Sequence, residues 1–186
     1  TGGDPVVSLW GHAQARLPGG RVLLAGGEPT CGLGSSAGTR AAQIYDPATG
    51  LFLAVGDMVE VHGPGLAATV LGDGRVLLTG GVADSGPVAG GEVFDPDSGL
   101  FGGVATMSSP RAFHVQVGLI DGTVLVAGGE ESAFGVTASA DIYSSPALLL
   151  EARVDVLPNT INLKSRGRFI TVLIGVPGHQ TGEIDV

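Results

Sequence analysis

Few side chains in this sequence could do chemistry, and they lie far apart along the chain. The 186 residues include four histidines, two tyrosines, one cysteine and no serine-hydrolase motif, phosphate-binding loop or zinc-spaced cysteine–histidine cluster. The imidazoles of His12 and His62 could exchange protons or hold a metal, and the guanidinium of Arg111 could bind a carboxylate or an acidic sugar. We therefore predict that this chain carries no catalytic residues.

One acidic segment imitates a metal-binding loop. Asp95, Asp97 and Ser98 have the spacing of the first calcium ligands in such loops. The distal glutamate is missing, however, and Pro96 belongs to a turn that recurs elsewhere in the chain. The single cysteine, Cys31, cannot form an internal disulfide. We predict no bound metal and no cofactor.

The elements that must position these residues are three copies of one pattern. A segment that ends in a glycine pair occurs at residues 20–27, 74–81 and 122–129. The aromatic residues Tyr45, Phe94 and Tyr143 follow these segments and lie 49 residues apart both times. A period near 50 residues, built from short strands, indicates the blades of a β-propeller.

Each copy predicts four short strands. The dipeptides Asp73-Gly74 and Asp121-Gly122 are strong signals for the tight turns of β-hairpins. The glycine pairs allow close backbone packing, so we expect Gly80→Val and Gly128→Val each to destabilise the fold strongly, through overpacking and backbone strain. The fold class is all-β, with three four-stranded blades.

The domain boundaries follow from the repeats. We predict blades at residues 10–58, 59–107 and 108–150, within a domain that covers residues 1–150. The fourth strand of the third blade is expected near residues 147–150. Residues 151–186 break the repeat and are expected to form a β appendage, the start of a β-sandwich-like module.

The repeats resemble kelch repeats, in the variant found in secreted bacterial proteins and in galactose oxidase. The segments that carry this resemblance cover residues 10–150, with Phe52 and Phe101 where the family has tryptophan. The C-terminal stretch resembles a small β module of bacterial secreted proteins. Tyr45 and Tyr143 both lie at a repeat position and neither is adjacent to a histidine, so the copper site of galactose oxidase is not carried over.

The resemblance implies a ligand face, where the loops before the first strand and after the second strand of each blade open. By this resemblance the ligand-binding candidates are His12, His62, Arg111 and Glu130. Structural alternatives stay open. His12 shares its repeat position with His114, which favours a framework role, and Arg111 could pair with the surplus acidic residues.

Charge and hydropathy exclude two classes of partner. The formal net charge is −9 with a single lysine, and nucleic-acid binding needs clustered basic residues. The longest apolar run, residues 169–176, is too short to span a bilayer as a helix. We expect neither nucleic acid nor a membrane span.

The sequence leaves three functions open. The first is a non-catalytic extracellular segment that binds or scaffolds a protein or glycan ligand. The second is a structural subunit that assembles through open β edges into an oligomer or fibre, and the third is the propeller part of a larger secreted enzyme. Because closed propellers have four to eight blades, we expect a longer parent chain or self-association. The extracellular or cell-surface location rests on the resemblance, since no signal peptide is visible.

Overall fold

A computed structural model describes residues 3–29, 38–104, 106–132 and 135–145. Within these residues the backbone forms short strands and turns, and no helix is long and apolar enough to cross a membrane. The strands are β1 (Ala13–Arg16), β2 (Val22–Ala25), β3 (Ala42–Asp46), β4 (Leu51–Ala54), β5 (Leu66–Val70), β6 (Val76–Gly80), β7 (Val82–Ala83), β8 (Gly86–Pro87), β9 (Gly91–Asp95), β10 (Leu100–Val104), β11 (Val115–Gly118), β12 (Val124–Ala127), β13 (Glu130–Ser132), β14 (Gly135–Val136) and β15 (Ala140–Tyr143).

The strands form three antiparallel sheets, which we name blade one, blade two and blade three. Blade one has the order β1-β2-β3-β4, blade two the order β5-β6-β9-β10, and blade three the order β11-β12-β15. This arrangement confirms the all-β fold class. The predicted fourth strand of blade three and the predicted appendage at residues 151–186 lie outside the described residues. Two small hairpins, β7-β8 and β13-β14, occupy segments that the sequence predicted as loops.

Aspartates close the turns that join the strands. The carboxylates of Asp73 and Asp121 accept the backbone N–H two residues later, at 3.1 and 3.0 Å, in the turns between first and second strands. Asp95 accepts bonds from the Asp97 N–H at 2.9 Å and from the Ser98 hydroxyl at 3.0 Å. The segment that imitates a calcium loop therefore forms a self-contained turn.

The hydrophobic core lies between the blades rather than within one of them. Leu23 and Ile44 of blade one are buried against Leu78 and Phe94 of blade two. A second cluster joins the other side of blade two to blade three and consists of Leu71, Leu77, Val93, Val124 and Val126. Because apolar burial is the main favourable term in folding, each blade depends on its neighbour for stability.

Candidate functional site

The blades are held together by the loops that lead into them. We call residues 3–12, 55–65 and 106–114 linking loops one, two and three, because each precedes the first strand of its blade. The Met58 N–H of linking loop two donates to the Arg40 carbonyl of blade one at 2.8 Å. The His62 N–H donates to Thr39 at 3.3 Å, and the His62 carbonyl accepts the N–H of Gly27 at 2.9 Å. These three backbone hydrogen bonds cross the junction between blades one and two.

The junction between blades two and three repeats these bonds. The Met107 N–H donates to Ala89 at 2.9 Å, and the Arg111 N–H donates to Val88 at 3.1 Å. The Arg111 carbonyl accepts the N–H of Gly81 at 3.0 Å. Arg111 and His62 are therefore equivalent in the repeat, although their side chains differ in chemistry.

The His62 side chain forms a buried ion pair. Its Nδ1–H donates to the Gly80 carbonyl at 2.7 Å, and its Nε2–H donates to the Glu92 carboxylate at 3.2 Å. The same carboxylate accepts the N–H groups of Val59 and Glu60 at 2.8 and 2.7 Å. Both ring nitrogens face acceptors, so this geometry suits a charged imidazolium.

The pKa values of the pair follow from these contacts. Burial alone would lower the pKa of His62, but the hydrogen bonds to Glu92 and to the Gly80 carbonyl outweigh it and raise the pKa. Burial alone would raise the pKa of Glu92, but the bonds from His62 and from two backbone amides lower it. Each partner therefore favours the charged form of the other.

Arg111 occupies the same place in blade three and is also fully buried. Its guanidinium donates to the Asp141 carboxylate at 3.0 Å, to the Ser109 hydroxyl at 2.9 Å and to the Ser139 hydroxyl at 2.8 Å. It also donates to the Gly128 and Ser139 carbonyls at 3.2 and 3.0 Å. These bonds fix linking loop three to blade three.

In each blade, a polar side chain of the third strand forms hydrogen bonds with the linking loop that precedes that blade. Gln43 of β3 takes this place in blade one, Glu92 in blade two and Asp141 in blade three. Gln43 accepts the Val7 N–H at 3.2 Å and donates to the Val7 carbonyl at 2.9 Å. Sequence reasoning missed this set, although its members share one spacing because each lies two residues before Tyr45, Phe94 or Tyr143.

His114 sits between blades two and three as a neutral imidazole. Its Nε2 lies 2.9 Å from the Thr79 hydroxyl, which donates to the Gln116 side chain. The Gln116 amide donates to the Leu77 carbonyl at 3.0 Å. Burial and then the charge of Arg111 lower the pKa of His114 to about 4. A His-x-Gln pair on the first strand of blade three thus docks on blade two.

The four predicted ligand-binding residues do not form one cluster. His62 and Arg111 are fully buried in structural pairs, whereas Glu130 is exposed at the start of β13. The His12 Nδ1 lies 3.2 Å from the Leu9 carbonyl, which matches the framework alternative. Within the described residues, no group of three or more His, Cys, Asp and Glu side chains could hold a metal. Ligand binding by these four residues stays a prediction.

The glycines that end the second strands show where a neighbouring blade docks. A Cβ built on Gly26 would lie 2.6 Å from the His62 carbonyl oxygen, and one on Gly80 would collide with the carbonyl oxygen of Arg111. Among the described residues, a Cβ on Gly128 would meet only the Thr137 carbonyl, at 3.9 Å. All three glycines have φ near +70°, so backbone strain is expected on substitution at each, whereas the geometry supports overpacking at Gly26 and Gly80.

The side of blade three that faces away from blade two is apolar and is not covered by any other described strand, and we call it the front face. It consists, by strand register, of Val115, Val117, Leu125, Ala127, Ala140 and Ile142. The side chains of Val115 and Ile142 are 65% and 58% exposed. The equivalent positions of blade one are also all apolar, and blade two buries them: Ala13, Ala15, Leu23, Ala25, Ala42 and Ile44.

Comparison with known proteins bears on the fold. No protein-family model and no curated protein matches the sequence, whereas 151 chains of solved structures match the structure. One is a fungal alcohol oxidase, described as novel with catalytic diversity among the AA5 family, in complex with copper. It is 21% identical over 66% of this chain and 27% of its own, with a TM-score of 0.57. The chain therefore has a β-propeller-like fold and spans about a quarter of that oxidase.

Proposed function

We propose that the three blades form a non-catalytic scaffolding module that binds a protein partner through the front face of blade three. The observation that carries this proposal is the contrast between Gly128 and its equivalents. At Gly26 and Gly80 the next blade fills the space beside the glycine, and at Gly128 no described residue fills that space. The front face has the composition of a buried interface and the exposure of a surface.

The chemistry of the front face favours a protein over a glycan. Sugars need convergent polar groups beside an aromatic platform, whereas the side chains of this face are all aliphatic. A cavity of about 310 Å³ lies at the outer edge of blade two, where its lining includes Arg75, Asp95 and Phe101. None of the four predicted ligand-binding residues lines that cavity. A contiguous apolar patch instead suits a second protein surface.

A catalytic role has less support in this segment. The buried cationic groups of His62 and Arg111 are committed to Glu92 and Asp141, and the first of these pairs has no contact with solvent. The match to an alcohol oxidase keeps the third possibility, the propeller part of a larger enzyme, as the second candidate. We also infer an extracellular location, which rests on the resemblance of the repeats to kelch repeats.

A charge on the front face tests the proposal. Ile142→Asp places a carboxylate in the apolar patch, and Leu53→Asp does the same at an equally exposed residue of β4, which is 56% exposed and lies outside the patch. We expect association of the chain, measured by sedimentation velocity, to be lost in Ile142→Asp and kept in Leu53→Asp. Association that survives Ile142→Asp, or saturable sugar binding to the parent chain, would contradict the proposal.

A further inference from the structure

Blade one carries the counterpart of the open front face of blade three. Resting on the function proposed above, we propose that the partner is a second copy of this chain, whose blade one docks on the front face of blade three. The surface involved is the back of blade one, which is the side that faces away from blade two. It consists of linking loop one, which ends at His12, together with Gln14 of β1.

The first strand of blade one repeats a docked surface. His12 and Gln14 take the places that His114 and Gln116 have in blade three, since Ala13 pairs with Ala25 as Val115 pairs with Ala127. In blade three this His-x-Gln pair contacts Thr79 and the Leu77 carbonyl of blade two. Among the described residues, the side chains of this pair in blade one form no hydrogen bond to another blade.

Linking loop one offers the backbone groups that cross a junction. The Val7 N–H donates to Gln43 as the Val59 N–H donates to Glu92, which places Val6 at the position of Met58. Trp10 pairs with Glu28 as Ala112 pairs with Glu130, which places Leu9 at the position of Arg111. Linking loop one therefore has one residue fewer between these two positions than linking loops two and three have. Among the described residues, the N–H groups of Val6 and Leu9 have no acceptor.

Blade three offers the complementary backbone groups. Thr137 donates to Gly129 at 3.0 Å, as Thr39 donates to Gly27 at 2.9 Å, so these positions are equivalent. Within the part of the chain that the structure describes, the Gly129 N–H has no acceptor, and the carbonyls of Thr137 and Ala138 accept no bond. Docking would let Gly129 donate to Leu9, Leu9 to Thr137, and Val6 to Ala138. Each of these expected bonds has a counterpart at both existing junctions.

The side chains fit the same register. At the two existing junctions the space beside the first glycine of the pair is filled by Leu66 at Gly26 and by the His114 ring at Gly80. His12 is the equivalent residue for Gly128. Val6, which is 54% exposed, corresponds to Met58, which is 1% exposed. Docking would therefore bury both side chains of linking loop one against blade three.

The stoichiometry follows from the geometry of this contact. Each copy has one front face and one back, so the contact is heterologous and forms either a closed ring or a filament. Two copies of the three described blades give six blades, which lies within the range of about four to eight in closed propellers. We infer a closed dimer with twice the 18.5 kDa mass of one chain. Because each copy has a net charge of −9, added salt should strengthen the association.

Sedimentation velocity of the 186-residue chain tests the inference. We expect the parent to form a dimer. Ile142→Asp on the front face of blade three and Val6→Asp on the back of blade one should each raise the dissociation constant by about a hundredfold, because each buries an unpaired carboxylate. A mixture of the two variants keeps one intact junction and should form a mixed dimer. Leu53→Asp is the control, and thermal unfolding monitors folding of each variant.

The possible outcomes distinguish a failure of the inference from a failure of the proposed function. If Ile142→Asp abolishes association and Val6→Asp does not, the front face binds something other than blade one, and only the inference is overturned. A parent that is monomeric at every concentration and salt also overturns the inference alone, because another protein could still occupy the front face. If Ile142→Asp associates like the parent, the proposed function itself is wrong.

Discussion

The side of blade one that packs against blade two and the front face of blade three are equivalent surfaces of the repeat. The first is buried and the second is exposed. At six equivalent positions both surfaces are apolar, yet Ala13 is 6% exposed and Val115 is 65% exposed. The backbone geometry of the two surfaces is also the same, since Gly26 and Gly128 both have φ of +68°. Each repeat therefore forms the same apolar docking surface, both where it is buried, as in blade one, and where it is exposed, as in blade three.

Alanine at the two glycines should give the largest difference between a closed and an open junction. Gly80→Ala combines a left-handed backbone with a collision against the Arg111 carbonyl, so we expect a loss of about 4 kcal/mol in the free energy of unfolding. Gly128→Ala carries only the backbone strain, so we expect about 1–2 kcal/mol. Urea denaturation measures both. Equal losses would show that the space beside Gly128 is already filled.

Removing the charge of Arg111 should have the next largest effect. Arg111→Met removes a charged donor from the Gly128 and Ser139 carbonyls and from the Asp141 carboxylate, so we expect a loss of about 2–3 kcal/mol in urea denaturation. Asp141 is partly exposed, which keeps the loss moderate. A melting temperature unchanged in this variant would make Arg111 a candidate for surface ligand binding again.

The neutral His114 should make stability depend on pH. Its pKa of about 4 lies below the ordinary value of 6.5, so the unfolded chain binds more protons between these values and stability falls as pH falls. Between pH 7 and pH 5 we expect His114 to account for a loss of about 2 kcal/mol, measured by urea denaturation at both pH values. His114→Leu introduces the residue that blade two has at this position, Leu66, and should remove this loss.

The raised pKa of His62 acts in the opposite sense. Its stabilisation is full below the ordinary value of 6.5 and is lost as pH rises from there through the raised pKa of the folded state. This contribution is the same in the parent and in His114→Leu, so the difference between the two proteins isolates His114. An identical dependence on pH in both would show that His114 does not titrate with a lowered pKa.

Charges on the open face should have the smallest effect on stability. Ile142→Asp and Leu53→Asp alter exposed side chains, so each should change the free energy of unfolding of the monomer by less than about 0.5 kcal/mol. Thermal unfolding at low concentration checks this. A large loss in Ile142→Asp alone would show that the front face is covered within a single chain.

The sequence predicted the strands better than the contacts between them. The glycine pairs and the aspartate turns predicted short strands in every repeat, and the structure confirms at least three in each blade, because short-range turn chemistry fixes them. It did not predict that Arg111 is buried, because its partner Asp141 lies on another strand and only the register of β15 brings the two together. The hairpin β7-β8 was missed because strands of two residues leave no hydrophobic pattern.

Amide hydrogen exchange at the glycine pairs tests most directly whether the front face of blade three is a docking surface. The N–H groups of Gly27 and Gly81 are bonded across a junction, whereas that of Gly129 has no acceptor among the described residues. In dilute solution we predict that Gly129 exchanges more than about tenfold faster than Gly81, and that it becomes as protected as Gly81 when the chain associates. A Gly129 amide that is protected at every concentration, or that stays unprotected in the associated state, would contradict this account.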